Sequence, residues 1–98
     1  MFLEQRAVSR KTPLDGKLEI SPATAGRLGA LGATFSVTSG GREGSARLES
    51  MEFTCAKGAG DRHVHHFVES PLLKDLAAGD DVRVELDERR GEVRIEAV

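Results

Sequence analysis

Two stretches of matching layout decide the fold: Leu18–Val37, LEISPATAGRLGALGATFSV, and Phe67–Leu86, FVESPLLKDLAAGDDVRVEL. Each reads as a short apolar run, Ser-Pro, a helical stretch, a glycine and an alternating strand. Ser21 and Ser70 stand where an N-cap belongs, because a serine oxygen can accept from an otherwise unpaired first-turn amide. Pro22 and Pro71 follow at the first helical position, where proline loses no hydrogen bond. In the second copy Leu72, Leu73, Leu76 and Ala77 form one stripe at helical spacing, and Gly79 is the stop. In the first copy Ala25, Leu28 and Leu31 recur at that interval and Gly32 is the stop. There Gly26 and Gly29 each cost a helix about 1 kcal/mol against alanine. The copies differ by two residues between Ser-Pro and the glycine. The pattern predicts an internal pseudo-two-fold repeat.

Working outward, strands are expected on both sides of these units. Gln5–Arg10 reads as a short first strand, and Pro13, Asp15 and Gly16 as a turn. Phe35 and Val37 alternate with polar neighbours, as do Val82, Val84 and Leu86, and Val93, Ile95 and Ala97. Gly91 fits a hairpin turn. In Ser45–Cys55 the apolar residues change phase, from Ala46 and Leu48 on even positions to Met51, Phe53 and Cys55 on odd ones. A strand that keeps one face buried needs a bulge to do that, which predicts one at Glu49–Met51. A strand from His63 to Glu69 follows the loop Ala56–Asp61. The fold expected is mostly β: a small, closed or partly open pseudo-two-fold barrel of about seven strands with two short helices. It forms one domain over residues 1–98, with Leu28, Phe35, Leu48, Phe53, Leu76, Val84 and Ile95 in its core.

GKLEISPATAGRLGALGATFSV resembles the strand–proline–helix–glycine–strand unit of swapped-hairpin barrels in bacterial transition-state regulators. With ESPLLKDLAAGDDVRVEL added, the order of elements is similar to that of the DNA-binding pseudobarrel of plant transcription factors and restriction-enzyme effector domains. The resemblance implies a barrel and duplex DNA as partner. It brings no DNA-contact motif, and double-psi barrels and small uncharacterised bacterial barrels share the same units.

Charge is distributed unevenly. The formal net charge is −2, yet residues 1–47 hold seven Lys/Arg against four Asp/Glu and residues 48–98 seven against twelve. Arg10, Lys11, Lys17, Arg42 and Arg47 lie on strands or turns that can share a phosphate-binding face. Dispersal around a solvated barrel is the alternative. The absence of Trp and Tyr removes the usual platforms for stacking bases or sugars. Cys55 with His63 and His65, two apart on a strand, can grip an ion such as zinc. An ordinary polar strand is the competing reading, and His66, beside Val64 and Val68, fits a hydrogen-bonded histidine. No nucleophile elbow, phosphate loop or carboxylate pair argues for an enzyme. One cysteine permits no internal disulfide, and no apolar run approaches the roughly 20 residues of a membrane span. The sequence therefore predicts a non-enzymatic cytoplasmic binding module that takes duplex DNA. The alternatives are a metal- or small-ligand barrel and a protein-interaction domain, perhaps acting as a homodimer.

Overall fold

The computed structural model describes the backbone of residues 1–54 and 62–98, and side chains outside 53–63. Seven strands form one sheet: β1 (Phe2–Ala7), β2 (Lys17–Ile20), β3 (Thr34–Ser39), β4 (Arg42–Thr54), β5 (Arg62–Glu69), β6 (Asp81–Asp87) and β7 (Glu92–Ala97). Their order is β1-β6-β7-β3-β4-β5-β2. All neighbours pair antiparallel except β3 and β7. The sheet curls into a nearly closed barrel, as its sequence pattern implied.

The interior follows from period-two alternation. Phe35 and Val37 of β3, Val82, Val84 and Leu86 of β6, and Val93 and Ile95 of β7 are buried, while Thr34, Ser36 and Arg83 face outward. Leu18 and Ile20 of β2, Val68 of β5 and Ala46 of β4 complete the wall. Among the expected core residues, Leu28, Phe35, Val84 and Ile95 are buried, and Leu48 and Leu76 are half-buried against the cluster. Phe53 has its side chain outside the described residues.

The first Ser-Pro unit forms as read and the second only in part. In the first, α2 (Pro22–Gly29) starts with the Ser21 hydroxyl accepting from the Thr24 amide at 3.2 Å. It buries Ala25 and Leu28. In the second, the shorter span allows only a 3-10 helix, Pro71–Asp75, that drives Leu73 fully inside. Leu76 already has extended backbone there, so the four-residue apolar stripe narrows to one deep knob with Leu72 and Leu76 beside it. Gly32 and Gly79 both have positive φ, 109° and 93°. The runs preceding the two Ser-Pro corners, β2 and β5, pair with each other. Beyond that the units are used differently: β3 lies between β4 and β7, whereas β6 lies between β7 and β1.

Three local features differ from the sequence reading. The first strand begins earlier, and Lys11–Asp15 forms a helical turn, α1, where a plain turn was expected. Pro13 is tolerated because it falls within the first turn. Thr12, fully buried, donates through Oγ1 to the Lys17 carbonyl at 2.8 Å and ties α1 to β2. The bulge expected at Glu49–Met51 is absent. The β4–β5 register runs unbroken from Arg47↔Glu69 to Thr54↔Arg62. An irregularity falls instead in β1, between Phe2 and Glu4. The apolar phase changes in β4 for another reason. Residues 42–47 pair with β3, but from Leu48 onward β4 has only β5 as a neighbour. From Met51 it leaves the barrel altogether, and a barrel interior no longer dictates which face is apolar.

Closure of the barrel is incomplete. Among the described residues no backbone hydrogen bond joins β1 to β2. A side chain spans the gap, with the Ser21 amide donating to Glu4 Oε1 at 2.9 Å. The far end is locked by Ser70, which is 1% exposed. Its amide donates to the Gly16 carbonyl and its hydroxyl to the Ser45 carbonyl, both at 2.9 Å.

Two glycine substitutions test this packing. Gly26 has open space where a Cβ would project, so Gly26→Ala should stabilise by about 0.5–1 kcal/mol. Gly16 has φ 69° and a Cβ there would sit 2.6 Å from the Ser70 carbonyl oxygen. Gly16→Ala should therefore destabilise by at least about 1–3 kcal/mol. Urea midpoints check both signs, and a neutral Gly16→Ala would mean the corner is not held as described.

Candidate functional site

The outer half of the β4–β5 pair, Met51–Thr54 with Arg62–His65, is the feature with no role in enclosing the core. β2 stops at Ile20, opposite His66, and β3 stops opposite Arg47. Met51–Thr54 and Arg62–His65 therefore continue as a two-stranded ribbon, paired only with each other among the described residues. Four residues of strand project about 13 Å at ~3.3 Å per residue. Ser50, Glu52 and Val64 are exposed, and Met51, His65 and His66 half-buried. At the ribbon's base Ser50 Oγ lies 2.7 Å from His66 Nδ1.

The outward face beneath the ribbon is built in cross-strand rows. The first row is Lys17, Glu69 and Arg47, and the next is Glu19, Phe67 and Glu49. Opposite charges facing one another across strands stabilise the sheet. Arg47 Nε donates to Glu69 Oε1 at 2.7 Å, and Lys17 Nζ lies 3.3 Å from Glu49 and 3.8 Å from Glu69. The hydrogen bond from Arg47, ahead of the charges of Arg47 and Lys17, holds the Glu69 carboxyl below its usual range against the opposing effect of burial. The same bond raises Arg47. Phe67 is 3% exposed although it lies on the outward face, and the Lys11 ammonium stands 5.1 Å from its ring centroid. This is cation–π geometry. His65, two residues further along β5, has Nδ1 3.2 Å from Glu19 Oε2.

The five cations expected on one face thus divide. Lys17 and Arg47 sit in the network just described. Arg42 pairs with Asp75 at the other end of the barrel. Lys11 caps Phe67, and Arg10, immediately before α1, has no ion pair among the described residues. Paired cations add little net positive field, so the pairing of Lys17, Arg42 and Arg47 reduces what this group offers to an anionic partner. Sequence reasoning missed this split because each carboxylate partner is distant along the chain: Glu69 lies 22 residues from Arg47, and Asp75 lies 33 from Arg42.

Among the candidate metal ligands, Cys55 lies outside the described residues and so does the side chain of His63. His65 is engaged with Glu19, and no cluster of three metal-ligating side chains occurs among the described residues. None of the described helices is long and apolar enough to cross a membrane. Comparison with known proteins adds no kinship: no family model, curated protein or solved structure matches the chain.

The Arg47–Glu69 bond has a measurable signature. A carboxyl depressed in the folded state contributes stability above its unfolded value, about 4.3, and loses it as pH falls through the folded value. Arg47→Met should raise the Glu69 titration midpoint in carboxyl-detected NMR and weaken the pH dependence of stability below about pH 4.3. An unmoved midpoint would show that Arg47 does not set the charge of this row.

Proposed function

We propose that the protein is a non-enzymatic module that binds duplex DNA, with the β4–β5 ribbon and α1 as its contact elements. The observation that carries this reading is the ribbon itself, a two-stranded arm outside the core, with the Lys11 ammonium over Phe67, two residues along β5 from His65. A major groove about 12 Å wide admits such a ribbon, and phosphate contacts from Arg and Lys fix its register. The layout-level resemblance to the DNA-binding pseudobarrel and to bacterial transition-state regulators supports it, as does the recurrence of the Ser-Pro unit. A cytoplasmic setting suits the lone thiol of Cys55. The acidic second half and the paired state of Lys17, Arg42 and Arg47 hold non-specific attraction down, so the reading implies few phosphate contacts and dependence on a specific site.

A second reading is favoured by one contact. The Glu19–His65 pair has the carboxylate–imidazole arrangement that orients metal-bound histidines, and the register sets His63 two residues before His65 on the same strand. A metal- or small-ligand-binding barrel using Cys55, His63 and His65, with zinc as the leading ion, follows from it. Purified protein should then carry near-stoichiometric zinc by elemental analysis, lost in His63→Ala and His65→Ala and kept in His66→Ala. Metal-free protein whose melting is unchanged by zinc removes this reading.

For DNA, each phosphate neutralised contributes about −0.9 to the slope of log K against log salt. Selection from random duplexes at low salt should enrich a sequence, and the bound slope should be shallow. Arg10→Ala with Lys11→Ala should flatten it by about two contacts' worth. Arg42→Ala and the pair Arg89→Ala/Arg90→Ala should leave it nearly unchanged. No enriched sequence and no retardation at micromolar protein would reassign the ribbon to a protein partner or a second copy of the chain.

A further inference from the structure

At the barrel end opposite the ribbon, the β3–β4 turn, the 3-10 helix and the end of β7 enclose a depression of about 240 Å³. Leu72 and Leu76 supply apolar wall, and Arg42, Asp75 and Glu96 form its rim. Ser39 also lines it and is 6% exposed, and its hydroxyl, which makes no hydrogen bond among the described residues, is not one of the fully buried atoms. A hydroxyl open to solvent can exchange its bond to water for one to an incoming group that reproduces it. Here the hydroxyl faces open space that an incoming group can fill.

The rim decides the charge of that group. Arg42 and Asp75 neutralise each other. Glu96 has no cationic partner among the described residues: its Oε2 accepts only the Gly40 amide, at 3.1 Å. One uncompensated carboxylate remains beside two leucines and a free hydroxyl. The volume lies below the roughly 300–1,000 Å³ of drug-sized ligand sites.

We propose that this depression binds a small organic amine, with its apolar body on Leu72 and Leu76, its ammonium toward Glu96 and a hydrogen bond to Ser39 Oγ. The site is independent of the ribbon, so it stands or falls separately from DNA binding.

The test is an amide-resolved NMR titration with benzylamine, toluene and phenylacetate as probes. Benzylamine should give saturable shifts at Ser39, Gly40, Leu72 and Leu76. Ser39→Ala and Glu96→Gln should each weaken it by about three- to tenfold, the effect of one hydrogen bond or one charge contact. Both variants should keep the wild-type spectrum elsewhere. Toluene or phenylacetate binding as tightly as benzylamine would overturn the amine assignment. Absence of saturable shifts with every probe, or full binding by Ser39→Ala, would overturn the site.

Discussion

The length of β4 is the constraint on which the arrangement depends. Its 13 residues outrun β3 at one end and draw β5 with them past β2. A sheet that closes on itself has an inside only where every strand has two neighbours. Over residues 42–47 β4 belongs to that wall and puts Ala46 into the core. Beyond Ser50 it is one half of a ribbon. The ribbon is the part of the sheet that encloses no core, which is why the proposed contact is placed there.

What holds the rest in place is a set of corners rather than extra hydrophobic mass. Ser21 caps α2 with its hydroxyl and donates its amide to Glu4 across the open seam. Ser70 does the equivalent at the other corner, joining the Gly16 bend, β4 and the 3-10 helix. Each corner satisfies backbone groups that the incomplete sheet leaves without ladder partners, which a buried segment requires. The same serine-proline signal therefore marks both the helix starts and the places where the barrel is fastened.

The barrel was legible because alternation in β3, β6 and β7 and the paired Ser-Pro units are local patterns. α1 was not, since Lys11–Asp15 has one proline, no apolar stripe and a glycine stop, which reads as a turn until Thr12 is seen to bond Lys17. The phase change in β4 was seen correctly but explained wrongly. Sequence alternation reports which face is apolar and is silent on where a strand loses its neighbours. The cationic face was the least legible part. Arg47 and Lys17 look available in the sequence, and only the register of β2, β4 and β5 brings Glu49 and Glu69 against them.

The central claim is that the ribbon and α1 together form the contact surface for DNA. Amide shift mapping on titration with a selected duplex tests it directly. The account predicts that the largest perturbations fall on Arg10–Thr12, Ser50–Glu52 and Val64–His66, with β6 and β7 unmoved. Perturbations centred on the β6–β7 hairpin around Arg89 and Arg90, or a duplex-bound protein with a silent ribbon, would contradict it.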